Sequence, residues 1–123
     1  MARCTTMEIV HHALVTTYKE DLTVAMAAAA LAVPVTHPIV LKTTGAGAEA
    51  LTLANGIPGQ TLIVNLVTDG GGDGTLTPAN ATGFTNVVLA DAGDQVVLLY
   101  IDDTVGWVLI SATGAAGPPV ITP

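Results

Sequence analysis

Glycine divides this sequence into two parts with different folding properties. The chain has 123 residues and 13 glycines, and every glycine lies between Gly45 and Gly117. Residues 1–37 contain none. Because glycine reaches positive φ without steric strain, it is the residue that tight turns most often require. The second part is therefore predicted to turn back on itself repeatedly, whereas the first part lacks these turn signals.

Short β-prone runs lie between the predicted turns. They are rich in valine, isoleucine, leucine and threonine, which suit a pleated, half-buried surface. The predicted strands are Ile39–Thr43, Ala50–Ala54, Thr61–Thr68, Thr75–Thr77, Thr85–Ala90, Gln95–Asp102 and Trp107–Ala112. Strands that recur every ~8–12 residues are typical of small sandwiches and barrels. We predict an all-β fold, a small antiparallel β-sandwich or barrel of jelly-roll or tulip-like form, with an extended N-terminal arm.

The glycine-free part supplies the predicted arm. We assign residues 1–37 to the arm, residues 38–113 to the β body and residues 114–123 to an extended C-terminal tail. Within the arm, the alanine-rich run Met26–Ala32 favours one or two helical turns before Pro34 ends them. So short a helix needs a surface on which to dock. The alternative is that residues 1–37 form an ordinary first strand pair of the same domain.

Two of the predicted strands carry apolar side chains on both faces. Leu62 and Val64 alternate with Ile63 in one strand, and Val97 alternates with Leu98 in another. Strands of this kind are covered on both faces, so a second cover is expected from the arm or from a neighbouring subunit. The residues predicted to pack subunits together are Leu62, Val64, Leu98, Tyr100 and Trp107. The residues predicted to form the contacts of the arm with its partner are Ile9, Val10, Leu14, Val15 and Tyr18.

Composition excludes several classes of protein. Half of the residues are apolar, 11% are charged and the formal net charge is −7. Disordered chains have the opposite balance, and a nucleic-acid-binding protein needs a basic surface. The single cysteine, Cys4, has no partner for an internal disulfide. So large an apolar fraction on a short chain indicates that a membrane or other subunits cover part of the surface.

The membrane alternative is disfavoured by length. The longest apolar-rich run, Leu22–Val35, is interrupted by Thr23 and Pro34 and is shorter than the ~20 residues of a membrane-spanning helix. A cleaved signal peptide is also disfavoured, because Glu20 and Asp21 directly precede this run where a basic region is expected. Burial against other subunits is therefore the favoured explanation.

No active site or cofactor is predicted. The loop Asp69–Gly74 spaces two acidic residues among glycines, as calcium loops do, but it lacks the further ligands of an EF-hand. The alternative is a solvated hairpin tip. Four other carboxylates lie at predicted turns, where such groups usually cap the backbone rather than catalyse: Asp91, Asp94, Asp102 and Asp103. We therefore expect a non-enzymatic protein.

Histidine and cysteine also give no site. Cys4, His11, His12 and His37 are the thiol and imidazole groups of the chain. Neighbouring histidines on a strand point to opposite faces, so His11 and His12 are not expected to chelate one ion. No local residue is positioned to orient a Cys–His nucleophile pair.

Three segments carry a resemblance to a known group of proteins. They are GAEALTLANGIPGQ (Gly47–Gln60), VTDGGGDGTLTP (Val67–Pro78) and FTNVVLADAGDQVVLLYIDDTVGWVLI (Phe84–Ile110). In turns and strand composition, this pattern resembles a module of structural proteins from tailed bacteriophages, especially phages of cyanobacteria and other aquatic hosts. The resemblance spans roughly half of the chain and does not extend to residues 1–40.

The resemblance implies a capsid decoration, or cement, protein. Such proteins are small and all-β, and they often bind as trimers at local threefold positions. The expected partners are the major capsid protein and further copies of this chain, without nucleic acid or membrane. The expected location is the outer capsid surface of a virion assembled in the host cytoplasm, which suits the acidic charge. The alternative is a trimeric tail-fibre, spike or head-fibre module that contacts host receptors.

Overall fold

The computed structural model describes residues 22–123, and this part of the chain is built from β-strands. The strands are β1 (Thr23–Met26), β2 (Ile39–Thr43), β3 (Glu49–Leu53), β4 (Thr61–Thr68), β5 (Gly74–Pro78), β6 (Asn86–Leu89), β7 (Gln95–Tyr100), β8 (Trp107–Thr113) and β9 (Val120–Thr122). All the strands predicted from the sequence are present, and each lies within two residues of its predicted ends.

The strands form two sheets that enclose one hydrophobic core. A five-stranded sheet has the order β1-β2-β4-β7-β8, and a four-stranded sheet has the order β3-β5-β6-β9. In β2 to β7, alternate side chains point into the core, as the burial of every second residue of β7 shows. The all-β sandwich is therefore confirmed.

Strand direction differs from the prediction, because both sheets are mixed rather than antiparallel. The pairs β1–β2, β2–β4 and β3–β5 are parallel, and the remaining pairs are antiparallel. Between β2 and β5 the chain alternates from one sheet to the other. Parallel neighbours need a crossover connection. A strand of the opposite sheet provides it for β2–β4 and β3–β5, and residues 27–38 provide it for β1–β2. Turn signals mark where a strand ends, but they do not show which sheet receives the next strand.

Residues 22–37, which we assigned to the arm, belong to the β body. The predicted helical turns at Met26–Ala32 are absent; β1 ends at Met26 and a turn with Ala29 at φ 68° follows. β1 pairs with β2, and the Met26 and Val33 side chains are 3% and 5% exposed in the core. Strand pairing and core burial outweigh the weak helix preference of a short alanine run. The rest of the predicted arm lies outside the described residues.

The C-terminal segment is extended, and part of it pairs with the body. β9 runs antiparallel to β6, beginning directly after the buried Pro119. The backbone N–H of Thr85 donates to the carbonyl of Thr122 at 2.7 Å, and the Thr85 hydroxyl donates to the carbonyl of Pro123 at 3.0 Å. The tail therefore completes the four-stranded sheet.

Two glycine-rich connections pack backbone against backbone at one end of the sandwich. The N–H of Gly72 donates to the carbonyl of Gly45 at 2.9 Å. A Cβ atom on Gly72 would lie 1.9 Å from the carbonyl oxygen of Gly47, and one on Gly70 would lie 2.1 Å from the carbonyl oxygen of Thr44. These glycines are needed because neighbouring backbone occupies the space of a side chain.

Substitution of Gly72 tests this contact. We expect Gly72→Ala to lower the free energy of unfolding by about 1–3 kcal/mol, because backbone atoms must move apart to admit the methyl group. Gly47→Ala is the matched control, since a Cβ there meets no atom within 4 Å. Urea unfolding of both variants measures the difference. Equal stability of the two variants would contradict the close backbone packing.

Candidate interaction surface

The five residues predicted to pack subunits together lie inside a single chain. The side chains of Leu62, Val64, Leu98, Tyr100 and Trp107 are each 0% exposed. They point between the two sheets and contact the chain's own core. Fully covered side chains leave no surface for a second subunit, so in this fold they stabilise the body rather than an interface.

Trp107 joins the two sheets at one end of the core. Its indole Nε1–H donates to the carbonyl of Ala54 at 2.9 Å. Its ring packs edge-to-face on Tyr100, with centroids 5.1 Å apart and planes at 72°. A Cβ on Gly56 would lie 2.9 Å from the indole ring, so the Asn55–Gly56 turn signal also provides space for the tryptophan.

Tyr100 links the core to an acidic turn. Its hydroxyl donates to Oδ1 of Asp103. This hydrogen bond to a carboxylate, together with burial, raises the pKa of Tyr100 above its ordinary value of 10.0. The Tyr100–Asp103 contact thus holds the β7–β8 connection against the end of the sandwich.

The turn carboxylates bind backbone N–H groups of their own loops. Oδ1 of Asp102 accepts from Thr104 and Val105 at 3.0 and 2.7 Å. Oδ2 of Asp94 accepts from Ala90 and Asp91 at 2.9 and 3.1 Å. The capping role matches the sequence interpretation, although Asp94 is only 2% exposed rather than solvated.

Similar hydrogen bonds hold the Asp69–Gly74 loop, which the sequence analysis considered for calcium. Oδ1 of Asp69 accepts from the N–H of Gly71 at 2.8 Å, and the N–H of Gly70 donates to the Thr44 hydroxyl at 3.1 Å. Across residues 22–123, metal-binding side chains nowhere gather in a group of three. Nδ1 of His37 lies 2.9 Å from the Thr36 hydroxyl at a partly exposed position. Cys4, His11 and His12 lie outside the described residues.

The predicted contact residues of the arm also lie outside the described range. They are Ile9, Val10, Leu14, Val15 and Tyr18. Their role stays a prediction.

A buried ion pair, which sequence reasoning missed, joins the two sheets. Nζ of Lys42 on β2 lies 2.7 Å from Oε1 of Glu49 on β3, and their side chains are 0% and 8% exposed. The ammonium also donates to the carbonyls of Ala27 and Ala30, at 2.9 and 2.6 Å. Three oxygen atoms thus surround the ammonium. A signal was present in IVLKT, where the alternation that buries Val40 also buries Lys42.

The other oxygen of Glu49 holds two turns in place. Oε2 accepts from the N–H of Gly45 at 2.6 Å and from that of Ala29 at 3.3 Å. Donation by Lys42, and then by Gly45, holds the pKa of Glu49 at about 2, below its ordinary 4.5, although burial acts in the opposite direction. The pair therefore ties together β2, β3 and the β1–β2 connection.

The outer side of the five-stranded sheet carries partly exposed apolar side chains. Its central side chains are half-buried: Ile39, Leu41, Ile63, Val97, Leu99 and Val108. Its margin carries Val67, Ile101 and Ile110, which are 45%, 39% and 57% exposed. We call these nine residues the apolar face. A polar pair lies beside them, in which Nδ2 of Asn65 donates to Oε1 of Gln95 at 3.0 Å.

The apolar face carries no charge. Lys42 is the one charged residue in the five strands of this sheet, and it points inward. The aspartates of residues 22–123 all lie in the connections between strands. The sandwich therefore has acidic ends and a neutral, apolar side.

The four-stranded sheet has an open groove whose lining residues carry no ionisable side chain. This open groove of about 410 Å³ is lined by Thr52, Leu53, Ala54, Thr77, Pro78 and Ala79. Its lining contains hydroxyl and apolar groups but no acid, base or thiol. The groove thus provides no general acid or base from its own walls.

No family model matches the sequence, and no curated protein matches it. Within residues 22–123, no helix has the length and hydropathy needed to cross a membrane. The phage resemblance stays a prediction from the sequence.

The ion pair generates a pH prediction. The pKa of Glu49 is lower in the folded chain than its ordinary 4.5, so the ionised carboxylate stabilises the folded state. This contribution to the free energy of unfolding is complete above pH 4.5 and is lost as the pH falls toward 2. Glu49→Gln lacks this ionisation. We expect Glu49→Gln to have a lower free energy of unfolding than the natural chain at pH 7. This difference in free energy is expected to shrink below pH 4.5. Urea unfolding midpoints at pH 7, 5, 4 and 3 measure it, and a constant difference would contradict the assignment.

Proposed function

We propose that this protein is a virion structural protein, a trimeric capsid decoration protein that clamps neighbouring major capsid subunits on the outer shell surface. The observation that carries the proposal is the apolar face, an uncharged surface on a chain whose formal net charge is −7. It agrees with the sequence resemblance to structural modules of tailed phages.

Self-association through an uncharged surface suits an acidic chain. Identical copies of net charge −7 repel one another, and burying an unpaired carboxylate in a contact is strongly unfavourable. A contact through the apolar face buries aliphatic side chains and leaves the aspartates of the strand connections at the ends of the sandwich. Apolar burial contributes about 25 cal/mol per Å² removed from water.

The structural roles of the polar groups also support a non-enzymatic protein. The Asp94 and Asp102 carboxylates bind backbone N–H groups, and Asp103 binds the Tyr100 hydroxyl. Lys42 and Glu49 neutralise each other in the core. These residues stabilise turns and sheets, which is what a passive shell component needs.

Decoration stabilises a capsid by mass action. A protein that binds the assembled lattice and not its separated subunits raises the free energy needed to break the lattice. A trimer multiplies weak contacts, because the second and third contacts form at high effective concentration. The proposed mechanism is therefore mechanical and needs no chemical step.

The native mass of the full-length protein tests the self-association. We expect light scattering on a sizing column to give three times the 12.3 kDa chain mass. Ile63→Lys is expected to give single chains, because it places a charge in the centre of the apolar face. Thr77→Lys, on the exposed side of the four-stranded sheet, is the matched control and is expected to remain trimeric.

A folded, soluble monomer of the natural chain would contradict the trimer. Trimeric Ile63→Lys would show that another surface joins the copies. Circular dichroism of each variant confirms that the β fold is retained.

Copy number in purified virions of the phage that encodes the chain tests the location. We expect hundreds of copies per particle by quantitative mass spectrometry, since a cement protein covers the lattice. A handful of copies would instead indicate the tail-fibre, spike or head-fibre alternative. Absence from the particle would overturn both.

A further inference from the structure

Asn55 and Gly56 form a chemically reactive dipeptide on the surface of the sandwich. Both residues lie in the connection between β3 and β4, and Asn55 is exposed. Asparagine is one of the thermolabile residues, because the backbone nitrogen of the following residue can attack its side-chain amide. A following glycine has no side chain to hinder this attack. The reaction also needs a free backbone N–H and a side-chain amide that no other group holds.

The structure leaves both reacting groups free. Among residues 22–123, neither the Asn55 amide nor the Gly56 N–H has a hydrogen-bond partner. The hydrogen bond next to them belongs to Ile57, whose N–H donates to Oε1 of Gln60 at 2.9 Å. The Asn55 side chain can therefore turn toward the Gly56 nitrogen without breaking a contact of the fold.

The Asp–Gly pairs of the described chain, which undergo the related attack, lack this freedom. In Asp69–Gly70, the glycine N–H donates to the Thr44 hydroxyl at 3.1 Å. In Asp73–Gly74, the glycine is buried at the start of β5 and is paired on both sides in its sheet. The fold thus restrains the backbone nitrogen at these two positions.

The other asparagines of the chain are followed by larger residues and are held by the fold. Nδ2 of Asn65 donates to Oε1 of Gln95 at 3.0 Å. Nδ2 of Asn80 donates to the carbonyl of Asp103 at 2.8 Å. Asn86 lies within β6. These asparagines are therefore internal controls for the reactivity of the Asn–Gly pair.

We propose that Asn55 of the folded chain is a site of spontaneous deamidation. The Gly56 nitrogen loses its proton to solvent and bonds to Cγ of Asn55, while the amide nitrogen takes up a proton and leaves as ammonia. Water then opens the resulting cyclic imide at one of its two carbonyls. One opening gives aspartate, and the other gives isoaspartate, in which the main chain runs through Cγ and is longer by one carbon. Both products add a negative charge.

The modification bears on Trp107, because both neighbours of Asn55 contact its indole. The carbonyl of Ala54 accepts from Nε1 of Trp107 at 2.9 Å, and a Cβ on Gly56 would lie 2.9 Å from the ring. Isoaspartate lengthens the backbone between these two contacts, so we expect one of them to be lost. Aspartate leaves the backbone length unchanged and is expected to preserve both. These contacts lie within one chain, so the inference does not rest on the proposed function.

Peptide mapping of the full-length protein tests the site. One sample is incubated folded in warm, mildly alkaline buffer and another is incubated unfolded in urea, and mass spectrometry follows the peptides with time. We expect Asn55 to lose its amide in both samples, whereas Asn65, Asn80 and Asn86 keep theirs in the folded one. Conversion of Asn55 in urea alone would overturn the proposal, because the fold would then protect the amide.

Asn55→Gln is the matched control for this mapping. Glutamine keeps the amide but must close a larger ring, so we expect this variant to remain unmodified at position 55 in the folded sample. Loss of its amide at the rate of the natural chain would contradict attack by the Gly56 nitrogen.

Fluorescence tests the consequence, since Trp107 is the single tryptophan of the chain. We expect the emission maximum to move to longer wavelength, and the urea unfolding midpoint to fall, in proportion to the isoaspartate fraction measured by isoaspartate-specific enzymatic methylation. Freshly purified Asn55→Asp carries the added charge on a backbone of natural length and is expected to keep the natural emission. An unchanged emission in the isoaspartate form, or an equal shift in Asn55→Asp, would overturn the effect assigned to the longer backbone.

Discussion

The ion pair between Lys42 and Glu49 is the interaction on which the sandwich depends. The described strands contain no other charged residue. Lys42 and Glu49 lie on facing sheets, and Nζ of Lys42 is 2.7 Å from Oε1 of Glu49. Removing two charges from water is expensive unless every polar atom finds a partner. Lys42 finds its remaining partners in the β1–β2 connection, and Glu49 finds its own in the turns at Gly45 and Ala29. One buried contact therefore joins the two sheets, the β1–β2 connection and the turn at Gly45.

The positions of the strands could be predicted from local sequence, whereas the pairing between strands could not. Glycine turns and β-branched runs located β2 to β8 closely, because those signals act over a few residues. The parallel pairs β2–β4 and β3–β5 could not be foreseen, since they arise because consecutive strands enter opposite sheets. The helical turns predicted for the alanine run after Met26 were wrong for a related reason. Its helix preference is weak, and two of its carbonyls bind a lysine that lies 12 and 15 residues further along.

The residues predicted to pack subunits together lie in the core of one chain, and the subunit contact itself stays a prediction. Both faces of β4 are apolar, and the side assigned to a partner, that of Leu62 and Val64, is the core. The sequence held a usable signal, because Asn65 shares the outer side with Ile63 and forms a hydrogen bond with Gln95 on β7. When a polar residue occupies the same alternating positions of a strand as apolar ones, that side of the strand is indicated to face solvent. Lys42 breaks that rule on β2, since its charge is satisfied inside.

The crossing of the chain between sheets also governs how the molecule comes apart. β4 pairs with β2 and with β7, and β3 pairs with β5, so each sheet is completed only when strands of the other are in place. Contacts between residues far apart in sequence slow folding, because long loops must close first. The same interleaving means that peeling one strand disturbs both layers. Resistance to forced opening is then a property of the whole chain rather than of any single strand.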